Sequence, residues 1–336
     1  MLSGTTFAYS AVVERRRLGN SNLTITPVGL GTWAIGGGDW VLGWGPQNDA
    51  QSLATIRRAL DLGVNWIDTA AVYGLGHAET VVAKALRGVP IHERPYLFTK
   101  CGLVWDELGN VSHNLSRRSI RAQAEASLRR LAADRIDLYQ IGWPVWPTNP
   151  AAHSPGSLEN AWEEMAALQA EGKIRHLGIS SRGVGALERL QRIAPVTSIG
   201  TRYSLLQREA EQCAPARCQS RGVGVIACST LGSGILTGTM TAERVGVLPC
   251  NDWRRRHPFF GELARSRVSG LLARLSVVAR RHNSTPAAAA IAWTLRDPRM
   301  TAAVVGARRP HQVEDIVQAA SIQLTDADLA ELGRGL

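Results

Sequence analysis

The chain reads as an α/β protein, a single (β/α)8 TIM barrel with an N-terminal β-hairpin and a long loop after its seventh strand. Three observations predict this. Eight short apolar runs, near 28–32, 64–67, 96–99, 136–141, 174–179, 196–199, 223–228 and 302–305, alternate with helical patterns. No linker or low-complexity segment divides the 336 residues, a length that suits one such barrel. Chemistry-bearing residues recur just past the ends of the apolar runs, where a parallel barrel places its site.

Taken in order, residues 1–11 read as a loose leader and residues 12–336 as the barrel domain. From Val12 to Thr26, alternating residues flank Gly19-Asn20-Ser21-Asn22, the pattern of a β-hairpin. Val28 to Thr32 is the first barrel strand. The loop after it, WAIGGGDWVLGWGPQ, sets Trp33, Trp40 and Trp44 on a glycine-rich backbone. Indoles there are costly to leave in water unless they line a pocket or pack over the barrel mouth. Asp49 or Ser52 caps the next helix, whose Leu53, Ile56, Ala59 and Leu60 share one face.

The stretch VNWIDTAAVYGLGHAET, Val64 to Thr80, organises the rest. Its strand ends at Ile67, Asp68 follows, and Gly74 and Gly76 break the backbone before an acidic helix start at Glu79. Asp68 and Tyr73 therefore leave one strand tip together. The next strand, Tyr96 to Thr99, delivers Lys100. Lys occurs only at 84, 100 and 173, the other basic residues being Arg, so Lys100 marks a place that calls for a compact ammonium. A phenol beside an ammonium, which a carboxylate holds in place, makes a proton donor whose pKa is expected to fall toward working pH. Asp68, Tyr73 and Lys100 are the candidate catalytic residues.

Helical patterns at Arg117 to Leu131 and Leu158 to Ala170 fill two of the later intervals. The segment 241–262 carries Pro, Trp and Phe after the seventh strand and is placed to cover the mouth. Two segments suit a phosphate: STLGSGILTG, Ser229 to Gly238, after the seventh strand, and GARRPHQ, Gly306 to Gln312, opening the helix after the eighth with Arg308 and Arg309 beside it.

Composition bounds the function. With 45% hydrophobic and 20% charged residues the chain is that of a soluble globular protein, and no apolar run reaches the ~20 residues of a membrane span. The first ten residues lack the basic start and long apolar block of an export signal, so a cytoplasmic location is expected. The net charge of +10 raises nucleic acid as a partner, but the Arg residues are scattered and form runs only at 15–17 and 254–256. A small-molecule substrate and no nucleic-acid partner are expected. Five cysteines show neither CxxC spacing nor His pairing, so neither a metal site nor a disulfide framework is expected.

These motifs resemble the aldo-keto reductases over nearly the whole chain: RRLGNSNLTITPVGLGTWAIGG (Arg16 to Gly37), the Val64 to Thr80 stretch, LFTKCG, IDLYQIGWP, GKIRHLGISS, TRYSLL, VIACSTLGSGILTG and VVGARRPHQVED (Val304 to Asp315). The resemblance implies that the hairpin plugs the barrel bottom and that the cofactor is NADP(H), with the arginines near the adenosine 2′-phosphate. It places Thr32, Ser180, Ser181, Ser229, Leu231, Gly232, Ser233, Gly234, Leu236, Gly306, Ala307, Arg308, Gln312 and Asp315 along the cofactor. Trp33, Trp40, Trp44, Gly142, Trp143 and Phe259 are the candidate substrate-pocket residues.

The chain also departs from the family. The His that normally follows IDLYQI and hydrogen-bonds the substrate carbonyl is Gly142. The Ser-Asn pair on the nicotinamide carboxamide is Ser180-Ser181, the Gln that completes the grip falls at Gly200, and the aromatic under the ring is Cys228. Near the adenine the usual Glu-Asn is Asp315-Ile316. Asp68, Tyr73 and Lys100 remain. An NADP(H)-dependent reductase of a carbonyl or conjugated C=C in a bulky or cyclic molecule is the leading expectation. The alternatives are redox-neutral acid-base chemistry in secondary metabolism, and a cofactor-sensing subunit that leaves the trio unexplained.

Overall fold

The computed structural model describes residues 14–38, 40–142, 155–180 and 183–334. The expected leader lies outside the described residues. Twelve strands are present among them: β1 (Arg16–Arg17), β2 (Thr24–Ile25), β3 (Val28–Gly31), β4 (Trp66–Asp68), β5 (Tyr96–Cys101), β6 (Leu103–Trp105), β7 (Val111–His113), β8 (Ile136–Gly142), β9 (Ile174–Ser180), β10 (Ser198–Arg202), β11 (Gly224–Cys228) and β12 (Ala302–Gly306). Eight of them, β3, β4, β5, β8, β9, β10, β11 and β12, form a closed barrel in that order, and β12 returns to β3 through Ala303↔Val28 to Gly306↔Gly31. All eight neighbouring pairs are parallel.

The barrel closes because its strands present apolar side chains on both faces. Toward the centre, Trp66, Phe98, Leu138, Ile226 and Ala302 pack with Leu18, Leu23 and Ile25 of the hairpin formed by β1 and β2. The hairpin thus seals the N-terminal end, as the family resemblance implies. The Trp66 ring lies directly on Gly29, where any Cβ would collide with it, and its Nε1 donates to the Thr26 carbonyl at 2.9 Å. Outside, residues such as Ile67, Tyr139, Leu177 and Val225 meet the helices in one continuous core.

The helices at Arg117–Leu131 and Leu158–Ala170 occupy the expected spans, each started by a serine, Ser116 or Ser157, whose hydroxyl accepts from the third residue's N–H. Two local expectations change. Asn48, not Asp49 or Ser52, caps the helix Asp49–Asp61. Glu79 is not a solvated helix start: the helix begins at His77, and Glu79 is fully buried, accepting from Thr99 Oγ1 at 2.6 Å and Arg130 Nε at 2.7 Å. An antiparallel hairpin, β6 with β7, rises from the tip of β5 and was not expected. No helix among the described residues is long and apolar enough to cross a membrane.

Candidate active site

Asp68 is the last residue of β4, and Lys100 is next to last in β5. Their barrel strands are neighbours, so the two side chains meet at the C-terminal mouth. Lys100 Nζ donates to Asp68 Oδ1 and, at 2.9 Å, to the Thr69 carbonyl. Gln140 of β8, itself buried, donates to the other carboxylate oxygen at 3.0 Å. Asp68 is thus held from both sides, which a charge 6% exposed requires.

Tyr73 arrives by the loop between β4 and the next helix. Gly74 adopts φ 60°, and its missing side chain lets the Gly36 backbone close on the loop. Lys100 Nζ lies over the phenol ring, 5.3 Å from its centroid. Sequence reasoning expected this ammonium to acidify the phenol. The balance is the reverse: burial pushes the Tyr73 pKa above its ordinary value, Asp68 and Cys228 add to the rise, and Lys100 opposes it. Burial also works against charge on Lys100, but Asp68, Tyr73 and the bond to Asp68 carry its pKa above the usual lysine range. The arrangement at neutral pH is a protonated phenol beside a fixed ammonium.

Aromatic side chains wall the mouth. Trp33 lies nearly parallel to Tyr73, centroids 6.1 Å apart, and stacks on Trp253 at 5.5 Å; Trp44 meets Trp33 edge-on, and Trp40 is 6.4 Å from Tyr73. Trp253, on the loop after β11, joins this wall and was not among the expected pocket residues. Phe259 packs over Gly232 and against Phe260, in an apolar cluster that Trp253 also joins. The loop after β11 does cover the mouth. Its Arg254 is a buried partner of Asp252 at 2.6 Å rather than part of a solvated face, and lies 4.3 Å over the Trp44 ring. Trp143 and Ser181 lie outside the described residues.

Three of the departures form one row. Gly142 and Ser180, at the ends of β8 and β9, and Gly200, in the middle of β10, are register partners. A Cβ at Gly200 would stand 3.3 Å from Ser180 Oγ and 3.4 Å from Cys228 Sγ, so the place of the family's Gln is already closed by two small side chains. A Cβ at Gly142 would sit 3.2 Å from the Cys101 carbonyl oxygen and 3.4 Å from Lys100 Cβ. The Cys228 thiol, its pKa pushed up to about 12 by burial and then by Asp68, stays protonated.

The two segments expected to suit a phosphate follow β11 and β12, which are neighbours in the barrel. Gly232, Ser233 and Gly234 all have positive φ, 54°, 55° and 102°, and Ser229 adopts 56°. Left-handed serines are costly outside functional turns, and such a run curls its backbone around a concavity suited to an anion. Leu231 and Leu236 pack into the core. Thr32 is buried against the Asp68 carbonyl, to which its N–H donates at 2.9 Å. Gly306 ends β12, Ala307 is buried, and Gln312 Oε1 accepts from the amides of Arg308 and Arg309 at 2.8 and 3.1 Å. Asp315 is half-buried, while Ile316, in the place of the usual Asn, belongs to the core.

Arg308 does not point outward. Its guanidinium donates to Gln47 Oε1 at 2.6 Å, to the Trp44 carbonyl at 3.1 Å and to the Pro46 carbonyl, pinning the tryptophan loop over the site. Burial, then the charges of Arg254, Arg309 and Arg244, hold its pKa below the usual guanidinium range. Several guanidiniums thus crowd the N-terminus of the helix Pro310–Gln318, opposed by Asp252, and Arg309 is exposed. This excess of positive charge, with the left-handed turn after β11, fits the phosphates of a dinucleotide.

A closed parallel barrel with a fixed Asp, Lys and phenol at its C-terminal mouth and an anion-shaped turn after β11 is the arrangement of a (β/α)8-barrel enzyme. The sequence of residues 27–334 matches the model of the aldo/keto reductase family. The chain is 33% identical over 325 residues to an NADH-specific methylglyoxal reductase of Escherichia coli strain K12, covering 93% of this chain and 94% of that protein. It is 31% identical over 321 residues to the aldo-keto reductase YhdN of Bacillus subtilis strain 168, covering 95% and 92%. The structure of the glycerol dehydrogenase AKR11B4 from Gluconobacter oxydans superposes with a TM-score of 0.80 at 31% identity, covering 96% of this chain and 94% of that one. The chain belongs to the aldo/keto reductase family and is an oxidoreductase of that type.

Proposed function

We propose that the chain, with residues 12–336 acting as one unit, reduces the carbonyl of a small molecule at the expense of NADP(H), with Tyr73 as proton donor. The observation that carries this reading is the Lys100 ammonium held between Asp68 and the phenol. Reduced nicotinamide supplies the hydride when bound. Tyr73 gives its proton to the substrate oxygen, and Lys100 stabilises the phenolate left behind. Gln140 and Asp68 keep Lys100 in place. The turn at Ser229 to Gly238 and the amides of Arg308 and Arg309, now satisfied by Gln312, would hold the phosphates.

The substrate is read as bulky or cyclic. The row Gly142-Ser180-Gly200 bears no long side chain, and the facing wall is built from Trp33, Trp44 and Trp253. Two buried indole donors, Trp40 Nε1 and Trp44 Nε1, and the Thr69 hydroxyl have no hydrogen-bond partner among the described residues, which favours a substrate with acceptor oxygens. The relative named for methylglyoxal is named NADH-specific; here the guanidinium cluster supports NADP(H).

The test is NADPH oxidation followed at 340 nm with methylglyoxal, 4-nitrobenzaldehyde and a cyclic enone, repeated with NADH, with product analysis. Carbonyl reduction faster with NADPH is the expected result. Product formed without cofactor consumption would replace this reading with redox-neutral chemistry.

A further inference from the structure

The family resemblance implies that Arg308 serves the cofactor, yet its side chain is committed elsewhere. Three of its nitrogens donate to one short segment: Nε to Gln47 Oε1 at 2.6 Å, Nη1 to the Trp44 carbonyl at 3.1 Å and Nη2 to the Pro46 carbonyl. Gln47 Nε2 donates in return to the Arg308 carbonyl at 3.1 Å and to Ser52 Oγ at 3.0 Å, which ties the segment to the helix Asp49–Asp61 as well. A planar guanidinium presents its N–H groups in a fixed fork, and so one side chain can gather three acceptors from a single turn of backbone. Swinging it toward a phosphate would break all three bonds at once.

The far edge of the same segment carries the aromatic wall. Trp44 forms an antiparallel bridge with Asp252, and the Trp253 N–H donates to the Gly43 carbonyl at 2.9 Å. Gly45, at φ 73°, fits against Pro249, where a Cβ would come within 3.0 Å of the proline Cγ. Arg254 pairs with Asp252 and lies over the Trp44 ring, closing the contact from the other side. The loops after β3, β11 and β12 are thus one strap, with Arg308 at one end and Trp253 at the other. Trp253 stacks on Trp33, which in turn lies nearly parallel to Tyr73. The placement of the indoles beside the phenol therefore depends on a guanidinium two loops away.

We propose that Arg308 is a positioning residue of the substrate pocket and not a side-chain ligand of the cofactor's 2′-phosphate. It holds residues 44–47 and, through them, the Trp33–Trp253 wall against which a bulky carbonyl compound lies. The 2′-phosphate falls instead to the exposed Arg309. The inference rests on the reductase reading above and makes Arg308 a determinant of which carbonyls are accepted. A ring that leans on the indoles loses contact area when they are free to shift, whereas methylglyoxal, small and open-chain, makes the least use of them.

The experiment compares Arg308→Met and Gln47→Leu with the parent and with Arg309→Ala. KM and kcat are measured for 4-nitrobenzaldehyde, the cyclic enone and methylglyoxal, NADPH and NADH affinities by tryptophan fluorescence, and the thermal midpoint by calorimetry. Arg308→Met should raise KM for the ring-bearing substrates roughly tenfold relative to methylglyoxal, about what one hydrogen bond to a charged group is worth, while the ratio of NADPH to NADH affinity stays within about fivefold of the parent's. Gln47→Leu leaves the guanidinium in place but takes an acceptor from it, and should shift KM in the same direction; it carries the test alone if Arg308→Met does not fold. Arg309→Ala should show the reverse pattern, weaker NADPH binding with the KM pattern unchanged. If Arg308→Met instead lowers NADPH affinity more than about fivefold, with NADH affinity and the KM pattern unchanged, Arg308 is a phosphate ligand and the inference is wrong. Equal losses on every carbonyl in step with a lowered midpoint show a general structural role and overturn it too, as does a parent that reduces methylglyoxal alone. In each of these cases the reductase reading stands. A parent that consumes NADPH with none of the three carbonyls overturns that reading and this inference with it.

Discussion

Replacing Tyr73 by Phe removes one oxygen and little else, which makes it the sharpest test of the proton-donor assignment. The ring that stacks near Trp33 at 6.1 Å is retained, and so is the face over which Lys100 Nζ sits at 5.3 Å. Lys100 keeps Asp68 and the Thr69 carbonyl as partners, so the ammonium is not stranded. Loss of the hydroxyl's polar interactions should cost no more than about 1 kcal/mol, a shift of at most roughly 2 to 4 °C in thermal midpoint. The reaction loses its acid, worth ~10² to 10⁴ in rate, or about 3 to 5 kcal/mol in the barrier. NADPH affinity by fluorescence, kcat by absorbance and the midpoint by calorimetry separate these effects. Turnover of Tyr73→Phe within threefold of the parent would refute the assignment. The parent's pH profile adds a second check. Because burial raises the phenol's pKa, the protonated form needed for reduction persists through neutral pH, and the reduction rate should not fall between about pH 6 and 9 through Tyr73. Alcohol oxidation needs the phenolate and should climb with pH.

Three further outcomes follow from named contacts. Gln140→Leu leaves a buried oxygen of Asp68 without its 3.0 Å donor and should cost about 1 to 3 kcal/mol in stability along with a fall in kcat, read by denaturant titration and steady-state kinetics. Arg309→Ala removes exposed charge at the opening of the last barrel helix; NADPH affinity should drop roughly tenfold while NADH affinity changes little, and equal effects on both would count against a 2′-phosphate contact. The thiols of Cys101 and Cys228 are pushed up to about 12, and that of Cys218 to about 11, in each case chiefly by burial. Their folded pKa values lie above the unfolded ones, so the associated stability is complete below about pH 8.5 and is lost as pH rises toward 11 to 12. A midpoint that stays level across that alkaline range would contradict the burial.

The barrel was legible because each of its strands is short, apolar and followed by a helix, a pattern that needs no knowledge of long-range contacts. The helices Arg117–Leu131 and Leu158–Ala170 were legible for the same local reason. Asp68 and Lys100 were legible as strand-tip residues, since neighbouring parallel strands bring such tips together. Other features depended on register or burial, which periodicity does not encode. Gln140 sits inside IDLYQIG and becomes a clamp on Asp68 only through pairing of β5 with β8. The acidity of Tyr73 turned on how deeply the phenol is buried, so that knowing its charged neighbours gave the wrong sign. In the loop after β11, with no repeating pattern, composition showed aromatic residues but not that Trp253, rather than Phe259, reaches Trp33. The partners of Arg308 and Glu79, residues 44–47 for the one and Thr99 and Arg130 for the other, lie on other elements and could not be read from local pattern.

The departures at the mouth make physical sense as one linked change. Gly200 is paired with Ser180, which is paired with Gly142, and the Cys228 sulfur lies beside the space that a side chain at 200 would need. A Cβ at 200 would press on Ser180 Cα at 3.3 Å as well as on the two side-chain tips, and a strand backbone yields less readily than a hydroxyl or thiol. Gly200→Ala should therefore destabilise the fold by about 1 kcal/mol or more despite being a one-carbon change. Removing the sulfur with Cys228→Ala should relieve part of that cost, so the double variant should lie ~0.5 kcal/mol or more above the additive value. Strict additivity in denaturant titrations would mean that the row is a set of independent substitutions. Coupling would mean instead that the residue at 200 and the residue at 228 were able to change only together, with the loss of the long side chain at one position making room for nothing larger than a thiol at the other.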